Sequence, residues 1–342
     1  MPHRCAILDD YQNVALKLAD WSIPDVDVKV FNQPFPDARS AVAALKGFSI
    51  ICMMRERTPF RKETLEQLPD LKLLLTSGAR NASIDLDYAA ERGITVCGTG
   101  AAGQPTAELA IGIMLELARK IGYENNRMKQ GVPWQSTLGI ELGGKTLGLL
   151  GFGKLGSKVG EIGKAIGMNL IAWSENLTDE KAKAGGATRV TKEELFRQSD
   201  FLSVHLVLSP RSRGLVTAKD LALMKPTAFI INTSRGPIID EPSLLAVLGQ
   251  RKIAGAGLDT FDVEPLPVNH PLRKLDNVVL TPHLGYVSQE GYKIYYTDMV
   301  DNIKAWFAGS PKRVIKKYPV SRTRCSAKRC FAEPGPFQAP RS

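Results

Sequence analysis

The stretch LGLLGFGKLGSKVG, residues 147–160, decides the fold of this 342-residue chain. Its apolar start leads into Gly151-Phe152-Gly153-Lys154-Leu155-Gly156, which has the G-x-G-x-x-G spacing of a dinucleotide-binding turn. In such a turn the first glycine permits a tight bend, the second lets a pyrophosphate approach the backbone, and the third lets the following helix pack closely. The motif alone is weak evidence, because glycines also gather in ordinary turns.

The residues on either side of the turn strengthen this interpretation. KTLGLLG and NLIAWS are short apolar runs that predict buried strands. Between them, LGSKVGEIGKAIG places Leu155, Val159, Ile162 and Ile166 at helical spacing and ends on Gly167. The predicted βαβ unit would offer the free N–H groups of its helix N-terminus to phosphates. We therefore predict that residues 151–156 bind a nicotinamide dinucleotide.

Composition bounds the class of protein. With 342 residues, 44% of them hydrophobic, the chain is long enough for two domains. No apolar run approaches the roughly 18 residues that span a bilayer, and the N-terminal residues do not resemble a signal peptide. Cys5, Cys52 and Cys97 lie in or beside apolar runs, which predicts buried thiols in a reducing cytoplasm. Cys325 and Cys330 have no matching His or Cys pair, so we predict no metal site.

The positive charge is concentrated at the C-terminus. The net charge is +10, but residues 312–342 hold nine Lys or Arg and one Glu, so they carry +8 and leave +2 for residues 1–311. The near-neutral charge of residues 1–311 argues against nucleic acid as a partner. Nucleic-acid binding through the basic residues 312–342 stays open as an alternative function. Because that segment is rich in Arg, Ser, Pro and Ala, residues 311–342 are predicted to be a basic disordered tail.

Strand and helix patterns alternate through two sections of the chain, which predicts two parallel sheets covered by helices. Strands of the first section are predicted at CAIL, VDVKVF, SIICMM, LKLLLTS and ITVC, and helices near residues 11–20, 37–46, 61–68 and 85–92. Strands of the second section, residues 146–282, are predicted at TLGLLG, NLIAWS, FLSVHL, AFIINT, GAGLDT and VVLTP. Residues 104–122 are predicted to form one long helix between domains or subunits, and residues 287–308 a closing helix.

Three polar residues follow successive strands of the second section. Arg235 follows AFIINT, Glu264 follows GAGLDT and His283 follows VVLTP. Ligands of doubly wound sheets bind beyond these carboxyl ends. There an Arg can clamp a carboxylate, a His can exchange a proton near neutral pH, and a Glu can orient that His. Taken singly, each of these three residues could be a surface or capping residue. His205 lies inside FLSVHLVL instead and is predicted to be a packed histidine.

Four motifs, LLGFGKLG, INTSRGPIIDE, GLDTFDVEPLP and TPHLGY, together resemble the D-isomer-specific 2-hydroxyacid dehydrogenases over about residues 1–310. The resemblance implies a flavodoxin-like substrate domain, residues 1–101 completed by 286–310, and a Rossmann NAD(P)-binding domain, residues 102–285. It also implies that Arg235 binds the substrate carboxylate and that His283, paired with Glu264, is the general acid and base.

The same resemblance implies further contacts with substrate and cofactor. Substrate would meet Ser77, the backbone N–H groups of Gly78 and Ala79, and Arg55, although a solvated position is as compatible for Arg55 and Arg57. Cofactor would meet the residues that the four motifs and the helix start PTAELA share with the family: Thr106, Thr233, Asp259 and Gly285.

The chain departs from the family pattern where the second strand of the cofactor domain ends. An acidic residue is expected there to bind the adenosine ribose, but Ser174 occupies the position and Glu175 follows it. Serine would not repel a 2′-phosphate, and Glu175 could still take the ribose role. NAD(H) is therefore the expected cofactor and NADP(H) stays open, with Arg211 and Arg213 as candidate cations.

The predicted activity is reversible hydride transfer between a nicotinamide and a small 2-keto or D-2-hydroxy acid. Glyoxylate or hydroxypyruvate reduction and 3-phosphoglycerate oxidation both stay open. A rival function is that of the dinucleotide-sensing transcriptional corepressors that share the fold. We also expect a cytoplasmic homodimer that associates through the helix region 104–122, with no membrane partner.

Overall fold

A computed structural model describes residues 2–101 and 103–316 of the chain. Its first sheet has five parallel strands in the order β2-β1-β3-β4-β5. These are β1 (His3–Ile7), β2 (Val26–Val30), β3 (Ile50–Met53), β4 (Leu73–Thr76) and β5 (Thr95–Cys97). The order is that of flavodoxin-like sheets, as predicted.

Four helices connect these strands: α1 (Ala15–Leu18), α2 (Ala38–Leu45), α3 (Lys62–Leu65) and α4 (Leu86–Glu91). Both faces of the sheet are buried, since alternate residues of a strand belong to different apolar clusters. In β1, Cys5 and Ile7 pack on one face while Ala6 packs on the other. The predicted buried thiols Cys5, Cys52 and Cys97 are all buried and free.

The second sheet has seven parallel strands in the order β12-β11-β10-β9-β6-β7-β8. These are β6 (Thr146–Leu150), β7 (Asn169–Trp173), β8 (Thr188–Arg189), β9 (Phe201–Val204), β10 (Phe229–Asn232), β11 (Gly255–Leu258) and β12 (Val278–Leu280). Six strands were predicted, and β8 was missed because it has only two residues, both exposed. The first six strands follow the Rossmann order, and β12 extends the sheet.

The remaining helices are α5 (Pro105–Arg119), α6 (Ile121–Lys129), α7 (Lys154–Ala165), α8 (Asp179–Ala184), α9 (Lys192–Gln198), α10 (Ala218–Leu221), α11 (Glu241–Gly249) and α12 (Gln289–Phe307). The prediction of one long helix over 104–122 was wrong. Lys120 adopts a left-handed conformation, with φ of 54°, between α5 and α6. Glu116 supports the break, because its carboxylate accepts a hydrogen bond from the Gly122 N–H at 2.8 Å.

The apolar face of α5 is buried against the second sheet and α7, whereas packing between domains or between subunits was predicted. Ala110, Ile113, Met114 and Leu117 belong to the apolar cluster that contains Leu147 and Phe229 of that sheet. By contrast, α12 returns to the first sheet, where Tyr292 and Met299 pack with Cys5 and Ile7. This placement supports the domain boundaries 1–101 with 286–310, and 102–285, which stay a prediction.

Residues 311–316 are not part of a free tail, which corrects the predicted boundary. The Ile315 N–H donates to the Val96 carbonyl at 2.8 Å, and the Gly98 N–H donates to the Arg313 carbonyl at 2.9 Å. Arg313 also pairs with Asp298 at 2.6 Å and with Asp301 at 2.9 Å. The rest of the predicted tail, residues 317–342, lies outside the described residues. Within the described ranges, no helix is long and apolar enough to cross a membrane.

Candidate active site

The glycine turn lies between β6 and α7, where two of its glycines are required by contacts inside the protein. Gly151 has φ of +102°, and a Cβ on it would lie 2.5 Å from the carbonyl oxygen of His205. A Cβ on Gly156 would lie 2.0 Å from the Gly151 carbonyl oxygen. A Cβ on Gly153 would meet no atom within 4 Å, so this glycine faces open space.

The surroundings of this open space fit a bound dinucleotide. Gly153 is the N-cap of α7 and provides no side-chain cap for the N–H groups of Lys154, Leu155 and the rest of the first turn. On the same edge of the sheet, at the end of β10, the buried Thr233 hydroxyl has no hydrogen-bond partner within residues 2–101 and 103–316. An uncapped helix N-terminus attracts phosphates, and an unpaired buried hydroxyl can bond a ligand.

Ser174 connects the end of β7 to the glycine turn. Its Oγ accepts a hydrogen bond from the Phe152 N–H at 2.7 Å. Glu175, the next residue, is exposed. The predicted cofactor residues 151–156, Ser174 and Glu175 are thus brought together at one edge of the sheet.

His283 and Glu264 form a close pair at the carboxyl edge of the same sheet. His283 Nδ1 lies 2.6 Å from Glu264 Oε2, and the other carboxylate oxygen accepts a hydrogen bond from the Phe261 N–H at 2.9 Å. Burial raises the pKa of Glu264, but the hydrogen bond and charge of His283, together with the Phe261 N–H and the charge of Arg57, outweigh burial and hold the pKa below its usual range. Glu264 is therefore an anion at neutral pH, and the pairing leaves Nε2 of His283 for exchange with a ligand.

Asp259, at the end of β11, holds the turn that carries His283. One carboxylate oxygen accepts hydrogen bonds from the Thr281 hydroxyl at 2.6 Å and the Leu284 N–H at 2.7 Å, and the other from the Gly285 N–H at 2.9 Å. Burial raises the pKa of this fully buried carboxyl. This positioning role was not anticipated from the sequence, and the predicted contact of Asp259 with the nicotinamide stays a prediction.

Thr106, at the start of α5, supports the same turn. Its hydroxyl donates to the Gly285 carbonyl at 2.6 Å. A Cβ on Gly285 would lie 3.1 Å from both Asp259 Oδ2 and the Thr106 methyl group, so the turn fits tightly between them. Thr106, Asp259 and Gly285, which were predicted separately as cofactor residues, therefore form one contact group.

Arg235 reaches across to the first sheet. Its Nη1 donates to the Ser234 carbonyl at 2.8 Å, and its Nη2 lies 3.4 Å from Glu56 Oε2. The same Glu56 oxygen lies 3.9 Å from Nε of Arg55. Because these side chains come from the carboxyl edges of both sheets, the two edges face one cleft. Glu56 was not predicted as a site residue, although its position between two arginines at the end of a strand could have indicated one.

The predicted substrate loop lies at the end of β4, under the Arg55 side chain. The Arg55 N–H donates to the Ser77 hydroxyl at 2.9 Å, and its Nη1 donates to the Ser77 carbonyl at 3.3 Å. A Cβ on Gly78, which has φ of +84°, would lie 2.2 Å from Arg55 Nη1. The Gly78 N–H donates to the Thr99 hydroxyl at 2.7 Å. The Gly78 N–H is thus paired in this structure, whereas Ala79 is exposed, and the predicted contact of both N–H groups with a substrate carboxylate stays a prediction.

Arg57 also turns into the cleft and not into solvent. Its guanidinium carbon lies 5.0 Å from the Tyr11 ring centroid and 5.5 Å from that of Tyr286, whose hydroxyl accepts a hydrogen bond from Arg57. The Tyr286 ring packs against His283 with centroids 5.5 Å apart. Tyr286 was also missed, because an aromatic residue after TPHLG has no distinctive sequence signal.

His205 lies behind the glycine turn and is not part of the cleft that contains Arg235, Glu264 and His283. Both ring nitrogens are buried and find no partner among the residues that the structure describes. Burial lowers the pKa of His205 to about 4, so the ring is neutral at physiological pH. These features match the packed histidine that was predicted.

Comparison with known proteins gives the family context of this cleft. Residues 111–285 match the family model described as D-isomer specific 2-hydroxyacid dehydrogenase, NAD binding domain. The chain is 37% identical to a glyoxylate reductase of Aeropyrum pernix over 275 residues, which are 78% of this chain and 82% of that protein. It is 36% identical to a D-3-phosphoglycerate dehydrogenase of Synechocystis, covering 90% of this chain but only 56% of that protein.

Among solved structures, the phosphoglycerate oxidoreductase of Vibrio cholerae superposes with a TM-score of 0.84 at 34% identity. That match covers 90% of this chain and 100% of the other. The similarity therefore includes both sheets and the cleft between them.

Proposed function

This chain belongs to the D-isomer-specific 2-hydroxyacid dehydrogenases and is an NAD-dependent oxidoreductase, and we propose that Arg235, Glu264 and His283 perform its chemistry. The observation that carries the proposal is the contact of 2.6 Å between His283 Nδ1 and Glu264 Oε2, at the sheet edge that also carries the glycine turn. A histidine oriented by an anion is suited to proton transfer near neutral pH.

The proposed roles follow from the side-chain chemistry. A nicotinamide dinucleotide held at the glycine turn would supply the hydride for reduction, or accept it in oxidation. Arg235 binds the carboxylate of the 2-keto acid and polarises its carbonyl group. During reduction, His283 donates a proton to the carbonyl oxygen as the carbonyl carbon receives the hydride. Glu264 orients the ring and stabilises its protonated form.

We assign the substrate to the small 2-keto acids, of glyoxylate or hydroxypyruvate type, with 3-phosphoglycerate as the alternative. The purified chain is expected to oxidise NADH when glyoxylate or hydroxypyruvate is added, as followed by absorbance. Ser174 provides no carboxylate against a 2′-phosphate, so we expect NADPH to be used as well, though less efficiently. Tight binding of either cofactor without turnover on a panel of 2-keto acids would instead favour a dinucleotide-sensing corepressor.

The pairing of Glu264 with His283 predicts a pH effect. Glu264→Gln keeps the shape but removes the negative charge that stabilises the protonated imidazole. We expect the alkaline limb of the kcat/KM profile for reduction to move to lower pH, with cofactor binding retained. Glu241→Gln is the matched control, since Glu241 pairs with a different histidine, with its Oε1 3.2 Å from His270 Nε2. An unmoved alkaline limb in Glu264→Gln would show that the two residues do not act as a pair.

We also propose a cytoplasmic homodimer. The apolar face of α5 is buried against its own sheet. We therefore assign the proposed interface to the exposed apolar side chains that follow α5 in the chain. Trp134 is 70% exposed and Leu138 is 98% exposed, with Ile121 and Met128 also exposed nearby. Such a group of exposed apolar residues is typical of a protein interface.

Light scattering of the full chain is expected to give the mass of a dimer. The double variant Trp134→Asp, Leu138→Asp should shift the mass toward the monomer, because a charge cannot be buried there without a partner. Val268→Asp is the control, since Val268 is 92% exposed but lies in a different loop. A monomeric parent chain would refute the proposal.

A further inference from the structure

Glu56 is an acidic residue placed among cations in the cleft, and no proposed step of the reaction uses it. Its Oε2 lies 3.4 Å from Arg235 Nη2 and 3.9 Å from Arg55 Nε. The three side chains are 26% to 34% exposed, so water screens their charges only partly. We propose that Glu56 selects substrates by charge, admitting 2-keto acids with one carboxylate and disfavouring those with a second anionic group. The inference rests on the proposed function and narrows its substrate class.

The charge balance of the cluster supports this role. Arg55 and Arg235 carry two positive charges and Glu56 carries one negative charge, which leaves a net charge of +1 to match one carboxylate. The other nearby ionisable groups are engaged elsewhere. Arg57 donates to the neutral Tyr286 hydroxyl, and its charge attracts the Asp9 carboxylate, which accepts hydrogen bonds from Tyr11 and Thr58, both at 2.9 Å.

Glu264 is another acid of the cleft, and it is paired with His283. Neither Glu264 nor Asp9 therefore competes with Glu56 for the two arginines. A second anion on the substrate would need one of these guanidinium groups and would lie beside the Glu56 carboxylate. Specificity is often obtained by such a repulsive contact against the wrong ligand.

The geometry thus favours a small monoanionic acid such as glyoxylate or hydroxypyruvate. It disfavours phosphate esters and dicarboxylates, for which the two arginines would otherwise form a suitable pair. Glu56 would not need to move during the reaction, because its effect is electrostatic and applies to any bound substrate.

The test compares two substrates that differ in charge but not in shape. Oxaloacetate carries a second carboxylate, and 2-oxosuccinamate carries an uncharged amide at the same position. The parent chain should prefer 2-oxosuccinamate, as measured by kcat/KM with NADH. In Glu56→Gln, the ratio of kcat/KM for oxaloacetate to that for 2-oxosuccinamate should rise by about tenfold or more.

Glu66→Gln is the matched control, because it makes the same charge change at an exposed residue that pairs with Lys62 at 3.7 Å. Its substrate ratio should equal that of the parent. An unchanged ratio in Glu56→Gln, with glyoxylate still reduced, would overturn the inference while leaving the proposed function intact.

A binding measurement separates the inference from turnover. Malonate, a dianion that cannot be reduced, should bind Glu56→Gln at least about fivefold more tightly than the parent in a calorimetric titration of the full chain. If no variant reduces any 2-keto acid, the proposed function fails, and the malonate result alone decides the role of Glu56. Equal malonate affinities for the parent and Glu56→Gln would then refute it.

Discussion

The His283→Ala variant is expected to lose roughly 10²- to 10⁴-fold in kcat/KM for glyoxylate reduction, the usual contribution of a positioned acid or base. The loss should fall mainly on kcat, because the proton is transferred as charge develops on the carbonyl oxygen. NADH should still bind with nearly the parent affinity, since the glycine turn lies on another strand end. Steady-state kinetics and titration of NADH fluorescence measure the two effects separately.

The backbone of His283 requires a second variant. Its φ is +54°, a left-handed conformation that alanine adopts less readily than asparagine. His283→Asn should therefore keep the turn and show the same loss of rate. His270→Ala is the control, because it removes the histidine that pairs with Glu241, and it should retain parent kinetics. Near-parent rates in His283→Asn would mean that another group transfers the proton.

A second large effect is expected for Gly153→Ala. The added methyl group meets no protein atom within 4 Å, so the fold should remain intact. It would project into the space that we assign to the pyrophosphate. Overpacking by one methyl group costs about 1–3 kcal/mol, so NADH affinity should fall roughly tenfold to hundredfold. NADH titration together with thermal unfolding would show weak binding at an unchanged Tm.

Two other glycines provide the controls for this prediction. Gly156→Ala should lower Tm, because its Cβ would lie 2.0 Å from the Gly151 carbonyl oxygen inside the protein. Gly249→Ala should change neither property, since nothing lies within 4 Å of its Cβ and it lies at the end of α11. Parent affinity for NADH in Gly153→Ala would place the pyrophosphate elsewhere.

The sequence by itself determined the features that depend on local pattern. Apolar runs separated by helical spacing predicted both parallel sheets and all but β8 of their strands. The carboxyl ends of parallel strands meet at one edge, which is why Arg235, Glu264 and His283 could be assigned to one site from their positions after strands. The glycine turn was predictable because its G-x-G-x-x-G spacing lies between a predicted strand and a predicted helix, although the contact that Gly151 serves is with the distant His205.

Only the tertiary structure decided which groups meet across long stretches of chain. Glu56 and Arg235 are 179 residues apart in sequence, and no local pattern reports their contact. The Gly78 N–H donates a hydrogen bond to Thr99, which follows a different strand. Residues 313–315 pair with the edge of β5, more than 200 positions earlier in the chain. Hydrogen bonds and charges act over a few ångströms in space, whereas periodicity reports only neighbours along the chain. The charge balance of the cleft is therefore a property of the folded molecule.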